Sequence, residues 1–176
     1  MIKLIRPCIE YEDDIMLFRK EKLEADGNAM DGCGGLERYE SYTEWQKHLD
    51  SYADRTKIKP ESGFVEGSQH MLVDEDRHRI LGMVNIRHYL NERLLRTSGH
   101  IGYTIRPSER NKGYGKLQLK LALEFIKSIG VNDVLITCDE SNVISAKLIE
   151  SCGGELEGIV HVPVLGCMVK RYWIHQ

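Results

Sequence analysis

The pattern of apolar and polar positions assigns most elements of the chain. Residues 1–6 form a short β-rich run around Ile2, Leu4 and Ile5 that ends at Pro7. Tyr11, Ile15 and Phe18, with Leu23 further on, fall at helical spacing, and Glu12, Asp13 and Asp14 occupy the first turn, where the helix dipole favours negative charge. Glycines at 27, 32, 34 and 35 mark residues 26–35 as loop. A second helix is expected from about Thr43. Thr43 and Gln46 read as its capping box, and Tyr42, Trp45, Leu49 and Tyr52 as its apolar stripe. Residues 60–67 read as loop.

The texture then changes to strands at 69–74 and 80–89, joined by a charged turn into a β-hairpin. His88 shares a face with Val84, Ile86 and Leu90, which makes it a packing residue. A strand at 99–105 stops at Arg106-Pro107, and a polar loop leads to a helix over 115–129 ended by Gly130. Val134 to Cys138 is nearly continuously apolar, as expected of a strand covered on both faces. Ser141 or Asn142 caps a helix carrying Ile144, Leu148 and Cys152 on one side, and strands at 155–160 and 166–174 close the chain. The elements predict one α/β domain spanning 1–176. Its central mixed sheet has about six to seven strands and is flanked by about four helices, with 99–105 and 134–138 running parallel through the helix between them.

Composition narrows the class. At 176 residues and 41% hydrophobic content, the chain can bury a core and is not disordered. Its longest apolar stretch, 158–169, contains His161 and Pro163 and is shorter than the roughly 20 residues of a membrane span. Charged residues interrupt the N-terminal region, which argues against a secretory signal and for a cytoplasmic protein with no membrane partner. The cysteines at 8, 33, 138, 152 and 167 include no CxxC pair and no zinc-like spacing, so they read as reduced thiols and no metal is expected. A net charge of −3 provides no basic field for nucleic acid.

The candidate chemistry lies in the turn Arg110-Asn111-Lys112-Gly113-Tyr114-Gly115-Lys116. Ahead of a helix, the first backbone N–H groups have no intrahelical partner, and glycines let a diphosphate approach them, while Arg110, Lys112 and Lys116 add charge. An isolated pair of glycines would serve a tight turn equally well. The turn is not a Walker A loop, because Leu117 stands where a Ser or Thr would hold magnesium. Nor is it a dinucleotide fingerprint, since Gln118 replaces the third glycine.

The order Arg-x-x-Gly-x-Gly, preceded by a strand and Arg106-Pro107 and followed by helix, strand and Asn142, resembles the GNAT N-acetyltransferase superfamily over roughly 69–154. Residues 99–103 and the run from Asn142 through Ser145 to Leu148-Ile149-Glu150 are most similar to its ribosomal-protein and small-molecule branch. The resemblance implies that 110–116 binds the diphosphate of acetyl-CoA. It also implies that Tyr103, Thr104 and Ile105 pair with pantetheine and polarise the thioester, and that Asn142 contacts the cofactor arm, with helix capping as its competing role.

The expected reaction is acetyl transfer to a primary amine. The amine must be neutral to attack, and deprotonating a group with pKa near 10.4 at pH 7 costs about 4 kcal/mol. His100, where related enzymes often carry a glutamate, is the expected base, against the alternative of a histidine hydrogen-bonded within the sheet. The usual thiolate-protonating tyrosine, seven residues after the asparagine, is replaced by Ile149, so no general acid is assigned. A non-catalytic CoA-binding regulatory module and an enzyme for another acyl-CoA remain alternatives. Glu10, Glu12, Asp13, Asp14, Glu21 and Glu24 form either a solvated helix face or a lure for a cationic acceptor. The sequence leaves room for a homodimer.

Overall fold

A computed structural model describes residues 1–176 as an α/β domain of seven strands and five α-helices. The first sheet is antiparallel throughout, in the order β1 (Ile2–Ile5), β2 (Gly67–Asp74), β3 (Arg79–Arg87), β4 (Ile101–Ile105). The second is also antiparallel: β5 (Asp133–Asp139), β7 (Cys167–His175), β6 (Glu155–Val162).

Alternation along β2 and β3 explains how the first sheet is covered on both faces. Met71, Val73 and Met83 point into a core shared with α1 (Glu12–Asp26) and α2 (Tyr42–Asp50). Val84 and Ile86 point into a second core with α4 (Tyr114–Ser128), α5 (Val143–Glu150), β5 and β7. Two-sided burial accounts for the nearly unbroken apolar character of these strands.

Several expectations change in detail. The cap of α2 is Ser41, whose side chain accepts from Glu44 N–H at 3.3 Å, rather than Thr43. A short helix, α3 (Glu92–Arg96), forms in the segment between the expected strands, capped by Asn91 through Leu94 N–H at 2.9 Å.

The largest change concerns the expected parallel pairing of β4 with β5, which does not form. The only bridge between them is an isolated antiparallel one, Gly99 with Ile136, just ahead of β4, and the two strands then lie at the edges of separate sheets. His100 marks the vertex. Its N–H donates to Leu135 O at 2.7 Å, but the Leu135 N–H donates to His100 Nδ1 at 3.0 Å, so a ring nitrogen takes the place of a backbone carbonyl and the regular exchange stops. Past that point the facing edges of β4 and β5 have no strand partner.

Two acidic positions of α1, Asp14 and Glu21, hold the sheet, whereas Glu12, Asp13 and Glu24 face solvent. Arg106, fully buried just after β4, donates to both oxygens of Asp14 at 2.8 and 2.9 Å and to both oxygens of Glu21 at 2.8 and 3.0 Å. Asp14 also accepts from Ile80 N–H at 2.6 Å, so this network ties α1 to the start of β3 and the end of β4.

Candidate functional site

Three features converge on the fork between β4 and β5. The first is the N-terminus of α4. Gly113, at φ +83°, caps the helix without a side-chain hydrogen bond, and the backbone N–H groups of Asn111 through Lys116 donate to no acceptor within the protein. Asn111 also has positive φ, +62°, which curls this run into a concave set of donors. A Cβ placed on Gly113 meets nothing within 4 Å, so the surface there stays open to a ligand. Gly115 faces the other way: its Cβ would lie 3.2 Å from Leu148 of α5 and 3.8 Å from Ile105, placing the helix start at the open end of the fork.

The expected cations divide. Arg110 is clasped by Asp26 at the end of α1, through both guanidinium nitrogens. Lys112 donates to Glu109 at 2.9 Å and to Ser108 O at 3.0 Å. Lys116 is exposed and makes no ion pair, so it is the one cation of this turn left for an anion. The Arg110 hydrogen bond, aided by Lys22, holds the Asp26 carboxyl at about 2. Burial alone would raise Glu109, but hydrogen bonds from Lys112, Arg77 and Arg79 bring it down to about 2 as well.

The second feature is the fork itself, a cleft of about 620 Å³ between Gly102 and Tyr103 on one side and Thr137 to Asp139 on the other. Asn142 and Ser145 of α5 line it. Asn142 caps α5 through Ser145 N–H at 3.0 Å, so the helix-capping role is present and its remaining amide donors stay available to the cleft. Tyr103 Oη lies 2.8 Å from Ser145 Oγ, and burial pushes the phenol well above its usual range. Thr104 and Ile105 lie further along β4: Thr104 Oγ1 accepts from the buried Lys22 at 3.0 Å and its carbonyl accepts from Gln118 at 3.3 Å. Tyr114 is partly buried at the helix start.

His100 is buried and lines neither this cleft nor the pocket beside it. With Nδ1 accepting from Leu135, the neutral ring carries its proton on Nε2 and has no free lone pair for an incoming proton. Burial, helped by the Arg87 charge, lowers its pKa to about 4. Ile149, at the position of the usual tyrosine, is fully buried in the core.

The third feature is a pocket of about 280 Å³ that opens beside the fork and shares Asp31, Gly32, Arg87 and Ser98 with it. It was not legible in the sequence, since its wall draws on the 30–38 loop, α2, β3 and α3. The loop is fixed from both sides. Trp45 Nε1 donates to the carbonyls of Cys33 and Gly34 at 3.1 Å each, Gln69 donates to Gly32 O at 2.8 Å, and Gly32 rests on β4. A Cβ at Gly32 would lie 2.4 Å from Tyr103 Cα, and its φ is +74°. Gly32→Ala should therefore lower stability by at least about 1–2 kcal/mol from the backbone strain alone, with the overlap adding to it. An unchanged denaturant midpoint would mean that the loop does not pack on β4 as described.

No group of three or more His, Cys, Asp or Glu side chains is placed to hold a metal ion, and no helix is long and apolar enough to cross a membrane. All five cysteines are free thiols.

The family model of the acetyltransferase (GNAT) domain matches residues 14–155. No protein of curated function matches the chain by sequence. Among solved structures, an acetyltransferase of the GNAT family from Streptococcus pneumoniae superposes with a TM-score of 0.68 at 17% identity, covering 99% of each chain. RimL, the ribosomal L7/L12 α-N-protein acetyltransferase in complex with coenzyme A, gives 0.69 at 13%, covering 99% of this chain and 93% of that one. The microcin C7 self-immunity acetyltransferase MccE, in complex with acetyl-CoA and AMP, gives 0.67 at 16%, covering 99% and 92%. At these identities the likeness is one of fold.

Proposed function

Since the chain belongs to the GNAT acetyltransferase family, we propose that it transfers an acetyl group from acetyl-CoA to a primary amine by direct attack. The observation that carries this reading is the run of unpartnered amides at 111–116, set at the open end of the β4/β5 fork. Helix N-terminal amides and the adjacent Lys116 suit a diphosphate, and unpaired strand edges suit an extended amide-bearing arm such as pantetheine. Bound acetyl-CoA supplies the acetyl group as a thioester. The residues of the chain do the rest. The N–H groups of Gly113 to Lys116 hold the diphosphate, the edge of β4 at Gly102 and Tyr103 orients the thioester, and Asn142 directs its amide into the cleft.

Tyr103 Oη retains its proton at neutral pH and, with Ser145 Oγ beside it, can return a proton to the departing sulfur from β4. This supplies from the sheet what Ile149 cannot supply from α5. Direct attack needs no acyl-enzyme, and the buried Cys33 thiol, pushed up by desolvation, is a poor nucleophile.

His100 takes a positioning role in this reading: its ring occupies the vertex between β4 and β5 and so holds the fork open. A proton moving from an amine near pKa 10.4 to a ring at about 4 would climb about 6 units, roughly 8 kcal/mol, so solvent accepts the amine proton instead. His100→Ala, which strands the Leu135 N–H, should cost about 1–3 kcal/mol of stability while turnover per folded molecule stays within a few-fold. The pH–rate profile should rise with the neutral fraction of the amine and show no inflection near 6.5 in either protein. A fall in turnover of about 10² to 10⁴ at unchanged acetyl-CoA affinity would restore His100 as the base.

The reading is tested by incubating the protein with acetyl-CoA and a panel of primary amines and following free CoA together with the acetylated product by mass spectrometry. Amine-dependent release supports transfer. Tight acetyl-CoA binding without amine-dependent release would make the chain a CoA-binding module, and faster release from a longer acyl-CoA would replace the acetyl assignment.

A further inference from the structure

The pocket beside the fork carries an unusual charge arrangement. Its ionic residues are Asp31, Glu37, Arg38, Arg87 and Arg93. Glu37 and Arg38 face each other at 3.7 Å, and Arg38 also reaches His48 Nε2 at 3.3 Å. The other three have no ionic partner. Arg87, partly buried on β3, donates only to Gly99 O at 3.2 Å, and Arg93 on α3 donates only to Gly63 O at 3.0 Å. Neither guanidinium touches a carboxylate, and Asp31 makes no ion pair. Each guanidinium has donors to spare: Arg93 is exposed and free to swing onto a ligand, whereas Arg87 is half-buried in the pocket wall with no carboxylate in contact, a position that a ligand carboxylate would answer.

The charges divide between the mouth of the pocket and the rest of its wall. Asp31 and Arg87 stand where the pocket opens into the fork, whereas Arg93 lines only the pocket. Tyr52 and Phe64, which also line the pocket, stack at 5.6 Å, with His48 edge-on to both at 5.4 and 5.7 Å, forming an aromatic wall. The volume, about 280 Å³, is at the lower end of small-ligand sites.

Resting on the acetyl-transfer reading above, we propose that the acceptor is a free amino acid with an apolar side chain. Its amine is drawn to Asp31 at the mouth of the fork, its carboxylate is held by Arg87 and Arg93, and its side chain lies against Tyr52 and Phe64. The amine nitrogen, once neutral, forms the new bond to the acetyl carbon as the carbon–sulfur bond breaks. The products are an N-acetyl amino acid and CoA, and the amine proton goes to solvent. A polycationic amine would meet two unpaired guanidiniums, and a peptide N-terminus would bring no α-carboxylate to them.

The test compares L-phenylalanine, L-phenylalaninamide and spermidine, the second having the shape of the first without its carboxylate. Binding is measured by calorimetry, on the protein alone and with CoA, and turnover is measured by acetylated product. Phenylalanine should bind about tenfold or more tightly than its amide, the worth of a charged hydrogen-bonded pair, and should show the correspondingly lower KM. Arg93→Gln should reduce that preference several-fold, mainly in KM, with Arg87 retaining the remainder. Equal binding of phenylalanine and its amide, preference for spermidine, binding of none of the three, or an unchanged preference in Arg93→Gln would overturn the proposal. Because calorimetry on the protein alone needs no acetyl-CoA, a failure of the transfer reading would appear separately, as phenylalanine bound but not acetylated.

Discussion

Arg106→Ala should destabilise the protein by about 3 kcal/mol or more, because it removes a fully buried guanidinium and leaves the half-buried Asp14 and Glu21 without their principal partner. Asp14 and Glu21 lie 92 and 85 residues away in sequence, and both give bidentate contacts to this one guanidinium, whose side chain is fully buried. Removing it leaves two carboxylates against the sheet and frees α1 from the end of β4. The pH dependence follows from Glu21, which the Arg106 hydrogen bond holds below the usual carboxylate range. A carboxyl whose folded pKa lies below its unfolded value near 4.3 adds stability that is fully present above that pH and is lost as pH falls through the folded value. The parent should therefore lose this contribution on acidification, along with those of Asp26 and Glu109, both held at about 2. The difference between parent and Arg106→Ala should be largest near neutrality and shrink toward pH 3. Denaturant melts across that range check both; a loss under 1 kcal/mol, or a difference independent of pH, would mean that the network does not fasten α1 to the sheet.

Gly113→Val should weaken acetyl-CoA binding by about 5- to 150-fold. That range corresponds to roughly 1–3 kcal/mol, lost because the side chain occupies ligand space and because relaxing the backbone from φ +83° turns the amides away from the diphosphate. No protein atom lies within 4 Å of the new Cβ, so the fold meets no overlap, but a β-branched residue at φ +83° also lowers stability by about 1–3 kcal/mol, and the affinity is therefore read on the folded fraction. Gly113→Ala should fall between. Calorimetry with acetyl-CoA on folded protein gives the answer, and unchanged affinity in the valine variant would remove the turn from the binding site.

Much of this architecture was legible in the sequence because periodicity reports burial directly. The stripes of α1, α2 and α4 and the doubly buried β2 and β3 follow from local pattern, and so does the glycine turn before α4. What escaped was set by single contacts, some local and some between segments far apart in sequence. The α2 cap moved to Ser41 because both Ser41 and Thr43 are acceptable caps and only one faces a free amide. Helix α3 is too short for a periodic signal. The fork depends on one imidazole replacing one carbonyl, which no propensity encodes. Arg110 and Lys112 looked like phosphate ligands in the sequence, but their carboxylate partners Asp26 and Glu109 come from the end of α1 and the turn after β4. The acceptor pocket draws on segments scattered from Met30 to Ser98, so its charges could be seen but not gathered.

The central claim is spatial: the cofactor runs from the amides that begin α4 into the fork between β4 and β5. A ¹H–¹⁵N NMR titration of the labelled protein with acetyl-CoA tests it residue by residue. The account predicts the largest amide shifts at Gly113, Tyr114, Gly115 and Lys116, together with Gly102 and Tyr103 on β4 and Asn142 at the start of α5. Saturable binding that leaves these amides unmoved while shifting others would contradict it.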